Sequence, residues 1–184
     1  MRQMLLTGVA VLAAAGSLAS AEIIEWNFFM SGENEVPPND SDATGAGQLL
    51  YNTDTQTFSM DIMIYGIDLA DLAPVGPNGS PLHIHNAPVG ENGPIVIDLG
   101  FISSFVQDGQ GIRYRVTDHL FGGTMGGVSS DPDDNEAALF AGELYVNVHT
   151  HEFMGGELRG QLVPAPAALS TLALGLLAGA RRRR

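Results

Sequence analysis

Four of the five histidines in the chain form two pairs in which one residue separates the imidazoles: His83 with His85, and His149 with His151. In a β-strand, residues two apart point to the same face, so each pair presents two imidazoles about 7 Å apart. Two such pairs on neighbouring strands would direct four nitrogen atoms towards one ion. Clusters of imidazole suit copper, zinc or nickel. The sequence therefore predicts a metal site formed by these four histidines, with copper as the expected ion and zinc as the alternative.

The residues beside the histidines indicate which face of the sheet the imidazoles occupy. Leu82 and Ile84 alternate with the first pair, and Val146 and Val148 precede the second pair at alternate positions. Since aliphatic side chains face the core, the imidazoles are expected on the outer face of the sheet. This pattern argues against buried core histidines and leaves exposed pairs without a ligand as the alternative. The fifth histidine, His119, stands apart and is expected in a loop.

Short segments of alternating polarity, broken by Gly, Pro, Asn and Asp, fill the middle of the chain, a pattern typical of a sandwich or barrel. The clearest is residues 57–65, where every second side chain is large and apolar. The pattern predicts an all-β fold, an immunoglobulin-like or superoxide-dismutase-like Greek-key sandwich or barrel of about eight strands. The predicted strands are residues 23–29, 46–51, 57–65, 82–85, 95–99, 112–116, 143–150 and 157–162.

One segment, residues 131–140, departs from the strand pattern. Asp131 is suited to cap a helix, Pro132 suits the first helical position, and the acidic residues that follow favour the positive end of the helix dipole. The segment is therefore predicted to be a short helix. The alternative is a calcium loop, but the segment lacks the glycine and the terminal glutamate of an EF-hand loop.

The charge of the chain limits its partners. Residues 22–163 contain all 21 acidic residues and only three of the eight basic ones, which gives this segment a formal charge of −18. Such a segment repels nucleic acid and anionic lipid, so neither is an expected partner. Cysteine is absent, and the domain must fold without disulfides. No grouping of residues typical of a hydrolase or a phosphate-binding loop occurs, and no catalytic residue is predicted.

Both ends of the chain carry apolar segments that are expected to form terminal helices outside the domain of residues 22–163. Residues 1–21 combine one basic residue, an apolar stretch and a small-residue cleavage site, as in a secretory signal peptide. Residues 164–184 combine prolines, the apolar run 167–180 and four arginines, which would hold that end on the cytoplasmic side of a membrane. A plain anchor that is never cut is the alternative for this tail.

The tail resembles the PEP-CTERM sorting signal, although Ala165 stands where that signal has Glu. The resemblance implies processing by an exosortase-type enzyme and only transient contact with the membrane through residues 167–180. It also implies export to the cell surface, extracellular matrix or periplasm of a Gram-negative-type bacterium.

Five motifs in the middle of the chain resemble, in order, those of the CHRD (chordin-type) domain. Together they extend over residues 31–162. The family is named from an extracellular antagonist of signalling proteins, and it implies an immunoglobulin-like β-barrel. It also implies a non-enzymatic module that binds an extracellular polymer or a surface protein. The motifs are Ser31–Pro38, Leu82–Pro88, Asn92–Val96, Leu144–Thr150 and Gly156–Leu162.

The family has a limited similarity to copper/zinc superoxide dismutases. His83 and His85 resemble the His-x-His copper ligands of those enzymes, and His149 resembles the ligand near the end of the chain. Arg159 resembles the arginine that guides superoxide. The alternative for Arg159 is an exposed ion pair with Glu157, worth at most about 1 kcal/mol. The resemblance implies a copper-binding domain as the alternative to the non-enzymatic module. The bridging histidine, the zinc loop and the disulfide of the dismutases have no counterpart in this sequence.

Overall fold

The computed structural model describes residues 22–164. Nearly all of the predicted signal peptide and sorting tail, with both terminal apolar helices, lies outside this range. The described residues form eleven strands, two α-helices and one 3-10 turn at Gly32–Asn34. In chain order the elements are β1 (Ile23–Ser31), β2 (Thr44–Asn52), β3 (Thr57–Tyr65), β4 (Leu82–Asn86), β5 (Ile95–Asp98), α1 (Leu99–Ile102), β6 (Val106–Asp108), β7 (Gly111–Leu120), β8 (Gly123–Met125), β9 (Val128–Ser130), α2 (Pro132–Ala141), β10 (Leu144–Val148) and β11 (Leu158–Gln161).

Nine of the strands form one antiparallel sheet in the order β5-β4-β10-β11-β1-β2-β3-β7-β6, and β8 pairs with β9 separately. The large sheet curls, so that its two ends share one apolar interior. The hydroxyl of Tyr114 on β7 donates a hydrogen bond of 2.8 Å to the carbonyl of Leu99, the residue directly after β5. The predicted all-β fold is therefore confirmed.

The core follows from the period-two patterns of the strands. On β1, Ile24, Trp26, Phe28 and Met30 are buried, whereas the residues between them are exposed. The inner side chains of the other strands of the large sheet continue the same apolar cluster. Helix α2 packs against it, with the ring of Phe140 at 5.5 Å from that of Trp26.

All eight predicted strands and the predicted helix are present. Residues 132–141 form a helix rather than the alternative calcium loop: the carboxylate of Asp131 accepts from the backbone N–H of Asp133 at 2.9 Å. Gly142 ends the helix in the left-handed conformation, with φ of 73°. His119, expected in a loop, lies within β7 instead. None of the helices within residues 22–164 is long and apolar enough to cross a membrane.

The outer face of the sheet at β5, β4, β10 and β11 carries a second buried layer, which is polar. The strand register places Asp98 opposite His83, His83 opposite Asn147, and Asn147 opposite Arg159. All four side chains of this polar row are buried. Loops cover the row; the backbone of residue 149, for example, bonds to Ala73 and to Pro81 of the segment before β4. The prediction of the outer face holds for His83 and His85, but the expected exposure is wrong for His83, His85 and His149, because these loops cover them.

Candidate metal centre

Three of the predicted ligands lie together at the end of this polar layer. His83 and His85 come from β4, and His149 directly follows β10, the neighbouring strand. Each of the three rings has one nitrogen that lies within 4.8 Å of a ring nitrogen of each of the other two. The ring centroids of His83 and His149 are 5.1 Å apart, and those of His83 and His85 are 5.7 Å apart. Antiparallel pairing thus brings together predicted ligands that are more than sixty positions apart in the chain.

Backbone carbonyls fix the protonation of two of the imidazoles. Nδ1 of His85 lies 2.9 Å from the carbonyl oxygen of Gly93, and Nδ1 of His149 lies 3.0 Å from that of Met154. Because a carbonyl only accepts hydrogen bonds, each Nδ1 carries the proton and each Nε2 retains a free lone pair. Carbonyl partners of this kind orient the histidine ligands of metal sites.

The remaining nitrogens of the cluster are buried without a hydrogen-bond partner in the described part of the chain. They are Nε2 of His85, Nε2 of His149 and both ring nitrogens of His83. Buried polar atoms are nearly always paired, since an unpaired one loses its hydration without compensation. Four unpaired nitrogens in a single cluster therefore fit a site that binds a metal ion.

The three imidazoles are neutral at physiological pH, which is the form that binds metals. Burial, followed by the proximity of His149, lowers the pKa of His83 to about 4. Burial, followed by the proximity of His85, lowers the pKa of His149 to about 4. Burial also lowers the pKa of His85. Protons would compete with a metal ion at this site only under acidic conditions.

His151, the fourth predicted ligand, is not brought into the cluster. Strand β10 ends at Val148, so the alternation that would align His151 with His149 stops. The backbone N–H of His151 donates to the carbonyl of Asp71, and its side chain is exposed. Within residues 22–164 the cluster is thus a set of three histidines.

Arg159 is not the exposed partner of Glu157 that one alternative expected. It is only 1% exposed, and its guanidinium donates to the carbonyls of Glu91 and Pro88 at 2.7 and 3.0 Å. Its central carbon lies 3.6 Å from the ring centroid of Tyr145, and that ring stacks on His85 at 5.0 Å. The carboxylate of Glu157 accepts hydroxyl hydrogen bonds instead. Arg159 therefore packs a loop and an aromatic ring against His85.

A cleft of about 530 Å³ is lined by Arg159 and by the apolar side chains of Phe29 and Val89. Glu35 also lines the cleft, and burial raises its pKa to about 7 against the opposing charge of Arg159. The side-chain amide of Gln161 donates hydrogen bonds to the carbonyls of residues 87 and 142. The side chains of Arg159 and Gln161 are thus engaged within the protein, whereas Oε1 of Glu35 is buried without a hydrogen-bond partner among residues 22–164.

Sequence reasoning missed Asp98 and Tyr145. Asp98 is completely buried, and its Oδ1 lies 4.0 Å from Nε2 of His83. The sequence signal that could have indicated Asp98 is that it is the one acidic residue in the apolar predicted strand 95–99. Tyr145 lies in the motif that contains His149, but only the strand register shows that it faces His85.

Comparison with known families agrees with the motifs. A family model described as the CHRD domain matches residues 26–162, nearly the whole of the described chain. No curated protein and no solved structure gives a significant match. The distant likeness to superoxide dismutases accordingly stays a prediction.

Proposed function

Because this chain belongs to the CHRD family, we propose that it is a binding module, and that the ligand of its polar layer is a transition-metal ion. His83, His85 and His149 would hold the ion. Two observations carry the proposal: one ring nitrogen from each of the three histidines lies within 4.8 Å of the others, and four ring nitrogens of the cluster are buried without a partner in the described chain. The family supports a binding or structural role, and the cluster supplies the chemistry of one bound partner.

Copper is the ion that this donor set favours. The donors are three neutral imidazoles, and imidazole sites bind copper more tightly than zinc or nickel. Two of the donors are Nε2 atoms whose rings are held by the carbonyls of Gly93 and Met154, so little rearrangement is needed on binding. Zinc is the second candidate, since three histidines also form zinc sites.

We assign the domain no catalytic role. Arg159 would have to direct its charge towards the ion in order to guide an anion, but its guanidinium donates to two backbone carbonyls and to Gln161. Tyr145 stacks on both Arg159 and His85. These contacts favour a structural role for Arg159.

The module is proposed to act outside the cytoplasm, at the cell surface or in the extracellular matrix. The pattern of residues 1–21 supports export, and the pattern of residues 164–184 supports processing by an exosortase-type enzyme. An extracellular polymer or a surface protein is the proposed macromolecular partner. Mass spectrometry of the exported protein tests this part, because intact Arg184 in the surface fraction would refute processing of the tail.

Copper titration of the purified protein tests the metal site. We expect sub-micromolar binding of one copper(II) ion, lost in a His83→Ala, His149→Ala double variant. The matched control is a His119→Ala, His151→Ala double variant, which removes two imidazoles outside the cluster and should bind copper as the wild type does. Equal binding by the wild type and the first variant would refute the site.

A further inference from the structure

A buried carboxyl group lies directly beside the histidine cluster. Asp98 ends β5 opposite His83 and is 0% exposed. Its Oδ1 accepts from the backbone N–H of Phe101 at 3.1 Å, and its Oδ2 accepts from the side-chain amide of Asn78 at 2.9 Å. These two hydrogen bonds fix the carboxyl group in place. Because each carboxyl oxygen has two lone pairs, the group can still accept a further hydrogen bond.

The carboxyl group lies next to the cluster rather than within it. Aspartate oxygens qualify as metal donors, yet within residues 22–164 the atoms that lie within 4.8 Å of one another come from the three histidines without Asp98. Asp98 instead approaches one ring of the cluster: its Oδ1 lies 4.0 Å from Nε2 of His83. This position is that of a group that orients a ligand.

His83 is the one ligand whose ring has no backbone carbonyl to orient it. A neutral imidazole carries one N–H and one lone pair, and both nitrogens of His83 lack a partner in the described chain. A Cβ atom at Gly76 would lie 3.0 Å from Nε2 of His83, so a side chain at residue 76 would crowd this edge of the ring. A movement of about 1 Å towards Asp98 would complete a hydrogen bond.

We propose that Asp98 is the positioning residue of His83: it accepts a hydrogen bond from the Nε2–H of that ring and leaves Nδ1 to bind the metal. The site would then be mixed, with Nδ1 of His83 beside Nε2 of His85 and Nε2 of His149. A carboxylate acceptor fixes the orientation of a ligating imidazole and raises its basicity. The inference rests on the proposed metal function and adds which atom of His83 binds and what holds it.

The tautomer of His83 in the metal-free protein tests the inference without any metal. Long-range ¹H–¹⁵N correlation spectra distinguish a protonated Nδ1 from a protonated Nε2. The expected result is a proton on Nε2 of His83 and on Nδ1 of His85 and His149. A proton on Nδ1 of His83 would overturn the inference, and this outcome requires no variant to fold.

Affinity for copper(II) supplies the second test. We expect Asp98→Asn to weaken binding about 10- to 100-fold, the usual effect of removing the partner of a ligating histidine. The matched control is Asp131→Asn, because Asp98 and Asp131 both cap a short helix and only Asp98 lies beside the cluster. The control should bind within about twofold of the wild type, and an Asp98→Asn variant that also does so would contradict the inference.

Two further outcomes separate this inference from the proposed function. A structure of the copper-loaded protein with an oxygen of Asp98 bonded to the ion would make Asp98 a ligand and overturn its positioning role. If the wild type bound no copper, the proposed function would fail, whereas the tautomer measurement would still decide whether Asp98 orients His83.

Discussion

Acid should destabilise the metal-free protein through two buried imidazoles. Burial lowers the pKa of His83 and of His149 to about 4, against an ordinary value of 6.5. As the pH falls below 6.5, the unfolded chain binds protons that the folded protein does not bind. The stability present above pH 6.5 is therefore lost progressively as the pH falls towards about 4.

The two imidazoles set the size of the effect. Each folded-state pKa of about 4 corresponds to roughly 2 kcal/mol of lost stability between pH 7 and pH 4.5, or roughly 4 kcal/mol for both. Glu35 acts in the opposite direction, because burial raises its pKa to about 7. Its stabilisation is present below about pH 4.5 and is lost as the pH rises through 7. Since a histidine variant retains Glu35, this contribution cancels in a comparison with the wild type.

Urea unfolding at pH 7 and pH 4.5 measures the effect. Between these two pH values the wild type should lose roughly 4 kcal/mol more than a His83→Gln, His149→Gln variant, in which neither side chain titrates. A His119→Gln, His151→Gln variant should follow the wild type. Equal losses in the wild type and the first variant would refute the conclusion that burial keeps these imidazoles neutral.

Three further changes test the surroundings of the site and the fold. Copper(II) at 100 times its dissociation constant should stabilise the wild type by about 2.7 kcal/mol, read as a rise in melting temperature, and should not stabilise the double-alanine variant of the cluster. Arg159→Lys should lower the free energy of unfolding measured in urea by about 1–3 kcal/mol, since lysine cannot replace the guanidinium at both carbonyls. Arg115→Lys on the exposed face should change it little, and similar effects of the two substitutions would contradict the packing role of Arg159. Gly142→Ala should lower the free energy of unfolding by about 1 kcal/mol because φ of residue 142 is 73°. Gly155→Ala, where an added Cβ meets no other atom, should not lower it, and equal urea midpoints for the two variants would count against the helix cap.

Strands β4 and β10, which position the three histidines, were predictable because aliphatic residues alternate along them with polar or aromatic ones over at least four residues. β6, β8 and β9 were not, since three residues are too few to show a period. Helix α2 was predictable from its cap and its proline, which act locally. The helix α1 has four residues and one cap, that of Asp98, and no pattern marked it.

The candidate site was predictable only in part, because its burial depends on residues remote in sequence. The alternation of Leu82 and Ile84 with the histidines gave the correct face of β4. The loops that cover this face come from other parts of the chain, and no local pattern shows where they pack. Asp98 lies beside His83 through strand register, which a single sequence does not reveal.

An electron paramagnetic resonance spectrum of the protein after one equivalent of copper(II) tests the central claim most directly. The account predicts nitrogen hyperfine coupling from three imidazoles, which disappears when His83 and His149 are replaced and survives when His119 and His151 are replaced. A spectrum of copper bound only to oxygen, or one that the loss of His83 and His149 leaves unchanged, would contradict the account.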